Sequence, residues 1–265
     1  MDYSIRFKDC EIYYVVHKNE AKPMLVLLHS FVSNRTIFDQ LVITLKKDFQ
    51  LLLLDLPGHG KSGSSSNVGF KDVPEILKTI LDAHMIKEAH FIGVQEGALI
   101  AQGFAHIYQK RLKSLTAIGS YSIYDNDYKK IKKERFWTKM KLAILWAFNM
   151  EAYKKYYANK ASLSDSGIER FMKTSKTFKR SSLLALKGFK RFYKLGKPNG
   201  TYPMYLVCGQ HEEEVIKDAC LLFEQKRPKT ILEGFNKTKS IVFLDQNRLF
   251  QEHFLTFIRN QATDL

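Results

Sequence analysis

The chain of 265 residues is short of cysteine, of long apolar runs and of acidic charge. Its three cysteines, Cys10, Cys208 and Cys220, are widely spaced and odd in number. They offer neither a disulfide framework nor a metal or redox spacing, so no metal site and no cofactor is expected. The longest strongly apolar run is about ten residues, too short to span a bilayer as a helix. Met1-Asp2-Tyr3 starts acidic and runs straight into an alternating pattern, without the basic and apolar regions of a secretory signal. A reducing cytosol is the expected, cytoplasmic, location. With 14 glycines and 6 prolines the chain is neither collagen-like nor low in complexity. What it does have is length enough to bury a core without staples, as one large domain or a domain with an insertion. Basic residues outnumber acidic ones 42 to 27, a formal charge of +15. Such an excess suggests an anionic partner: nucleic acid, anionic lipid or an acidic ligand.

The apolar pattern supplies an order of elements. Residues 3–16 alternate around a turn at Lys8-Asp9, which predicts two short antiparallel strands. Met24–Leu28, Leu51–Leu54, Ala89–Val94, Leu115–Ile118, Met204–Cys208 and Thr230–Leu232 read as further strands, several of them continuous apolar runs suited to burial on both faces. Helical spacing falls between them at Thr36–Lys47, at Val73–Leu81, at Gly97–Gln109 and, last, at Leu249–Ile258. Strands alternating with helices predict an α/β fold, a mostly parallel doubly wound sheet, with an antiparallel edge from the first two strands.

Residues 122–198 break the rhythm. They contain no convincing strand, and Lys129–Lys160 and Ile168–Leu195 read as two helices divided by Ser162–Gly167. Fourteen aromatic residues, both tryptophans among them, argue for a packed helical subdomain. The segment holds 20 Lys and Arg against 6 Asp and Glu, leaving 22 against 21 elsewhere. Almost all the excess charge therefore belongs to the insertion, and residues 1–121 with 199–265 form a nearly neutral core.

Gly93-Val94-Gln95-Glu96-Gly97 follows a buried strand and precedes a helix, the context of the nucleophile elbow G-x-S-x-G. Leu27-Leu28-His29-Ser30-Phe31 and Asp55-Leu56-Pro57-Gly58-His59-Gly60-Lys61-Ser62 follow the two strands before it. Together these motifs resemble the α/β-hydrolase family over most of residues 5–121 and 199–262, with 122–198 where such proteins carry a helical cap. Gly58-His59-Gly60-Lys61-Ser62 looks like half a phosphate loop, but the first glycine of that motif would fall at Asp55.

The resemblance implies a triad in the order nucleophile, acid, histidine. The nucleophile position holds Gln95, whose amide nitrogen is not a competent acyl-transfer nucleophile. The acid position falls on Glu212, in Gly209-Gln210-His211-Glu212. The histidine position, counted back from Val242-Phe243-Leu244-Asp245, falls on Ser240, and residues 233–252 contain no histidine. The resemblance also assigns the oxyanion-hole backbone to Phe31 and Glu96, with the Glu96 carboxylate expected to face solvent or a cap lysine. His29, Ser30, His211 and Trp146 are candidates for the pocket, His29 also as a structural support.

Three functions follow as expectations. The first is a non-catalytic protein whose core/cap pocket binds a small apolar or acidic molecule, with Gln95 donating and accepting hydrogen bonds at its floor. The second is a hydrolase of an ester- or amide-type substrate using relocated groups such as His211, Glu212 or a water held by Gln95. The third is an interaction protein whose basic cap meets anionic lipid or a polyanion. No recognised nucleic-acid module is present.

Overall fold

The continuous apolar runs become the centre of one sheet. In this computed structural model, which describes residues 1–123, 136–195, 202–227 and 230–263, eight strands pair in the order β1 (Asp2–Phe7), β2 (Cys10–His17), β4 (Gln50–Leu54), β3 (Met24–Leu28), β5 (Ala89–Val94), β6 (Leu112–Ile118), β7 (Met204–Gly209), β8 (Thr230–Phe235). β2 pairs antiparallel with both β1 and β4, and every other pairing is parallel. Every residue of β3, β5 and β7 is buried, as strands covered by helices on both faces must be. β1, at the edge, alternates exposed and half-buried positions.

Helices α1 (Asp39–Leu45), α2 (Val73–Ala83) and α3 (Glu96–Ile107) connect the first parallel strands. Val73, Ile76, Leu77, Ile80 and Leu81 of α2 are all buried, the stripe that their three-and-four spacing predicts. The first turn of the region read as Thr36–Lys47 is instead a 3₁₀ turn, Arg35–Phe38, whose Asn34 cap accepts from the Thr36 N–H.

The insertion differs from expectation. The sequence pattern predicts two long helices; the described residues form α4 (Phe136–Phe148), α5 (Met150–Ala161) and α6 (Asp165–Thr174), then 3₁₀ turns over 175–177, 180–186 and 189–194. The first predicted helix breaks at Asn149, which leaves helical geometry and caps α5 by accepting from the Ala152 N–H. The second ends because the Thr174 and Ser175 hydroxyls bond back to the carbonyls of Phe171 and Met172, and Gly188 turns left-handed at φ 76°. The stretch 129–135 of the first predicted helix lies outside the described residues. After β7 come α7 (Glu214–Lys226), the single-turn α8 (Val242–Asp245) and the closing α9 (Asn247–Thr263).

The insertion is stitched to the sheet-bearing part by named contacts. Asp245 accepts from the backbone N–H groups of Leu163, Ser164 and Lys239 and from the Ser162 hydroxyl. Asn34 donates to the Thr174 carbonyl, and the Ser182 hydroxyl donates to the Gly58 carbonyl. Among the described residues no helix is long and apolar enough to cross a membrane.

Candidate functional site

The turn between β5 and α3 is built by close backbone approach. A Cβ on Gly97 would lie 2.2 Å from the Leu28 carbonyl oxygen, and one on Gly93 would lie 2.4 Å from the Ala98 Cα. Only glycine permits such contact. Between them Gln95 sits at φ 50°, ψ −112°, a region that costs an L-residue about 1–3 kcal/mol. Its backbone is held in place, for the Gln95 N–H donates to the Ile118 carbonyl (2.9 Å) while its own carbonyl accepts from Ala98 and Leu99. The strain projects the Gln95 side chain from the strand end into a cavity.

Beside it, Phe31 and Glu96 meet directly. The Phe31 N–H donates to a carboxylate oxygen of Glu96 at 3.0 Å. One oxygen of this half-exposed carboxylate is thus turned to the backbone: an anion of the chain itself meets the amide that the resemblance assigns to an oxyanion. At the start of α3, the carboxylate is also favoured by the positive end of the helix dipole.

His29 and Ser30 are not on the cavity wall. His29 is fully buried, with Nδ1–H donating to the Ser30 carbonyl (2.8 Å) and Nε2 accepting from the Leu56 N–H (3.0 Å). Burial lowers its pKa to about 4, so it is a neutral strut between two strand ends. The Ser30 hydroxyl is turned inward to the Ser33 hydroxyl (3.0 Å). The Asp55 motif is structural as well. Its buried carboxylate accepts from the Arg35 and Lys61 N–H groups and pairs with the Arg35 guanidinium at 2.9 Å.

Glu212 and Ser240 come together on the wall from loops after β7 and β8. The Ser240 hydroxyl donates to Glu212 Oε1 at 2.7 Å, and the Glu213 N–H donates to the same oxygen at 2.9 Å. Oε2 is buried with no hydrogen-bond partner. Burial pushes the Glu212 carboxyl above its usual range, against the lowering effect of the Ser240 hydrogen bond.

The cavity has a volume of about 490 Å³. It brings together Phe31, Gln95, Glu96, His211, Glu212 and Ser240 of the sequence candidates. Trp146 is not among its walls; the helix that carries it instead presents Leu142. The residues missed were those of α5: Tyr153, Tyr156, Tyr157 and Lys160. Their spacing of three, four and seven is a helical stripe, and that signal was legible. Lys160 pairs with Glu213, and Lys239 Nζ donates to the Asn159 carbonyl at 2.6 Å. His253 lies in α9 against Glu233 of β8. Among the described residues no cluster of three or more His, Cys, Asp or Glu is arranged to hold a metal ion.

The family model for the alpha/beta hydrolase fold matches residues 23–206. A pimeloyl-[acyl-carrier protein] methyl ester esterase of Wigglesworthia glossinidia brevipalpis is 31% identical over 112 residues, 42% of each chain. A 3-oxoadipate enol-lactonase of Acinetobacter baylyi is 30% identical over 101 residues, 38% of each chain. The matched stretch thus spans less than half the length of either curated relative. Among solved structures, an esterase of Exiguobacterium antarcticum superposes with a TM-score of 0.84 at 14% identity, covering 98% of this chain and all of that one. Likeness at that identity speaks to the fold alone.

Proposed function

The chain belongs to the α/β-hydrolase fold family, and we propose that within it this protein binds a small molecule without hydrolysing it. One observation carries the reading. At the elbow the side chain is an amide, Gln95, and the adjacent Phe31 N–H is spent on Glu96. Acyl transfer needs an activated nucleophile, a base to take its proton and free donors for the oxyanion. The proposed nucleophile, histidine and oxyanion positions are each altered, while the cavity between sheet and insertion is intact. The insertion then serves as a cap, with α5 forming one wall. Three buried free cysteines fit a reducing, cytoplasmic setting. The test is a broad panel of ester, thioester and amide substrates. No turnover that depends on Gln95 is expected, and robust turnover abolished by Gln95→Ala would overturn the reading.

A second reading is a hydrolase with relocated groups. It is favoured by the esterase and lactonase names of the relatives and by His211, Glu212 and Ser240 sharing one wall. It requires that His211→Ala or Glu212→Ala remove a measurable activity, and unchanged activity in both ends it. Contact of the cap with an anionic surface is supported by Met140, Ile144 and Phe148 of α4, spaced by four and exposed, in a segment of such positive charge. Vesicle binding through it must weaken with salt.

A further inference from the structure

The elbow holds a strained residue whose side chain is unspent. Gln95 keeps φ 50° and ψ −112°, and the bonds that fix the turn, from its N–H to the Ile118 carbonyl and from Ala98 and Leu99 to its own carbonyl, involve backbone alone. Glycine would hold such angles with less strain. Among the described residues the Gln95 carboxamide has no hydrogen-bond partner. The residue is half-buried and lines the cavity, and neither its side-chain oxygen nor its nitrogen is closed off by the chain. Two donors and an acceptor therefore stand open to whatever enters. Strain kept at a cavity, with nothing gained inside the chain, is a mark of ligand recognition.

The surrounding charges narrow the ligand. The next residue, Glu96, carries a carboxylate held against the Phe31 N–H, while Lys160 is turned to Glu213 and Glu212 and Lys239 to the Asn159 carbonyl. An anion at Gln95 would stand next to Glu96 and face the carboxamide oxygen with another acceptor. An ammonium has donors only and would leave the Gln95 N–H groups unpaired. What answers both ends of a primary amide is a second neutral amide whose C=O and N–H lie side by side. A half turn of the Gln95 amide exchanges its oxygen and nitrogen, so either order of that edge is met. An open-chain N-alkyl amide is trans and puts its C=O and N–H on opposite sides. A primary carboxamide or a ring amide keeps them together.

We propose that Gln95 reads a paired amide edge: a primary carboxamide, lactam or cyclic imide, on an aromatic or aliphatic body lying among Phe31, Tyr153 and Tyr157 of the wall. The Gln95 side-chain N–H donates to the ligand carbonyl, and the ligand N–H donates to the Gln95 side-chain carbonyl. The inference rests on the small-molecule reading of the site and deepens it by naming the group that the elbow selects. Acids, amines and open-chain N-alkyl amides of the same size satisfy one end of Gln95 and not the other.

The test uses the full chain with Nile red, a neutral apolar dye, as reporter of the cavity, displaced by benzamide, N-methylbenzamide, benzoate or benzylamine. Benzamide is expected to displace the dye at concentrations at least about tenfold lower than the other three, the scale of one net hydrogen bond, even though N-methylbenzamide is the more apolar of the two amides. Gln95→Met, of similar length and without the amide, is expected to bring benzamide level with N-methylbenzamide. Gln95→Glu, which keeps the shape and loses the donors, is expected to weaken benzamide and serves where Gln95→Met fails to fold. Equal displacement by all four probes, preference for any probe other than benzamide, or a benzamide preference that survives these substitutions overturns the inference and leaves the pocket standing. Absence of saturable dye binding removes the small-molecule reading itself and this inference with it.

Discussion

Two substitutions, Gln95→Ser and Ser240→His, would place a hydroxyl, an imidazole and the Glu212 carboxylate at the three positions that the family resemblance assigns to an acyl-transfer triad. They are expected to give almost no hydrolysis, because the Phe31 N–H is already donated to Glu96 at 3.0 Å. A nascent oxyanion would have to break that charge-assisted bond, worth about 1.5–3 kcal/mol. It would also form beside a carboxylate, and two like charges about 4 Å apart repel by about 4 kcal/mol at an effective dielectric near 20. Taking only the lower bound of the first and a fraction of the second leaves about 3 kcal/mol, or roughly 100-fold in rate. That agrees in scale with the loss of one oxyanion donor elsewhere, about 10²–10³ in kcat. Adding Glu96→Ala should therefore raise kcat about 100-fold over the double variant. The assay is release of p-nitrophenol from its acetate at pH 8, with acylation of residue 95 followed by mass spectrometry. A double variant as active as the triple variant, both folded by circular dichroism, would refute the argument that Glu96 holds the amide.

Gln95→Gly relieves the positive φ at the elbow; against a cost of about 0.5–1 kcal/mol in unfolded-chain entropy, a net gain near 1 kcal/mol should lift Tm by about 2–4 °C. Gly97→Ala should do the opposite, because its Cβ would meet the Leu28 and His29 carbonyl oxygens at 2.2 and 2.5 Å and backbone cannot step aside; a loss of about 3 kcal/mol is expected in urea unfolding. Acid should weaken the fold well before the carboxylates titrate. Burial lowers His29 and His90 from 6.5 to about 4 and His59 to about 3, so the unfolded chain takes up these protons first. Stability is full above pH 6.5 and falls as pH drops toward 4, by about 2 kcal/mol per histidine at pH 5. Equal unfolding free energies at pH 7 and pH 5 would contradict this, and His90→Gln should shrink the difference.

The strands were legible because burial on both faces leaves a continuous apolar run, and β3, β4 and β5 are such runs. The elbow was legible because Gly93 and Gly97 are demanded by backbone contact rather than by any particular activity. That Ser240 reaches Glu212 fits a count back from α8, because the chain between β8 and α8 is short. Other features depended on where side chains turn. Nothing in the order of residues says that Glu96 folds back on Phe31, since that contact joins positions 65 apart. Trp146 drew attention by its chemistry, whereas the cavity wall is set by how α5 is anchored at Ala161 and Ser164. In the second half of the insertion the lysine-rich pattern read as one helix. Local hydroxyl-to-carbonyl bonds at Thr174 and Ser175, together with docking of Ser182 on Gly58, outweighed that propensity.

Asp245 bears on how the cavity can breathe. One carboxylate ties the end of α5 to the loop that carries Lys239 and Ser240, and the Ile241 N–H adds a bond to the Ala161 carbonyl at 2.9 Å. The two margins of the cavity on that side are thus a seam, fastened by one carboxylate that gathers several backbone donors and by one backbone–backbone bond that no side-chain rotation releases. Parting it would strip several hydrogen bonds at once, so it behaves as the spine of a book whose pages open elsewhere. A small molecule of the kind proposed would therefore have to enter and leave without parting this seam.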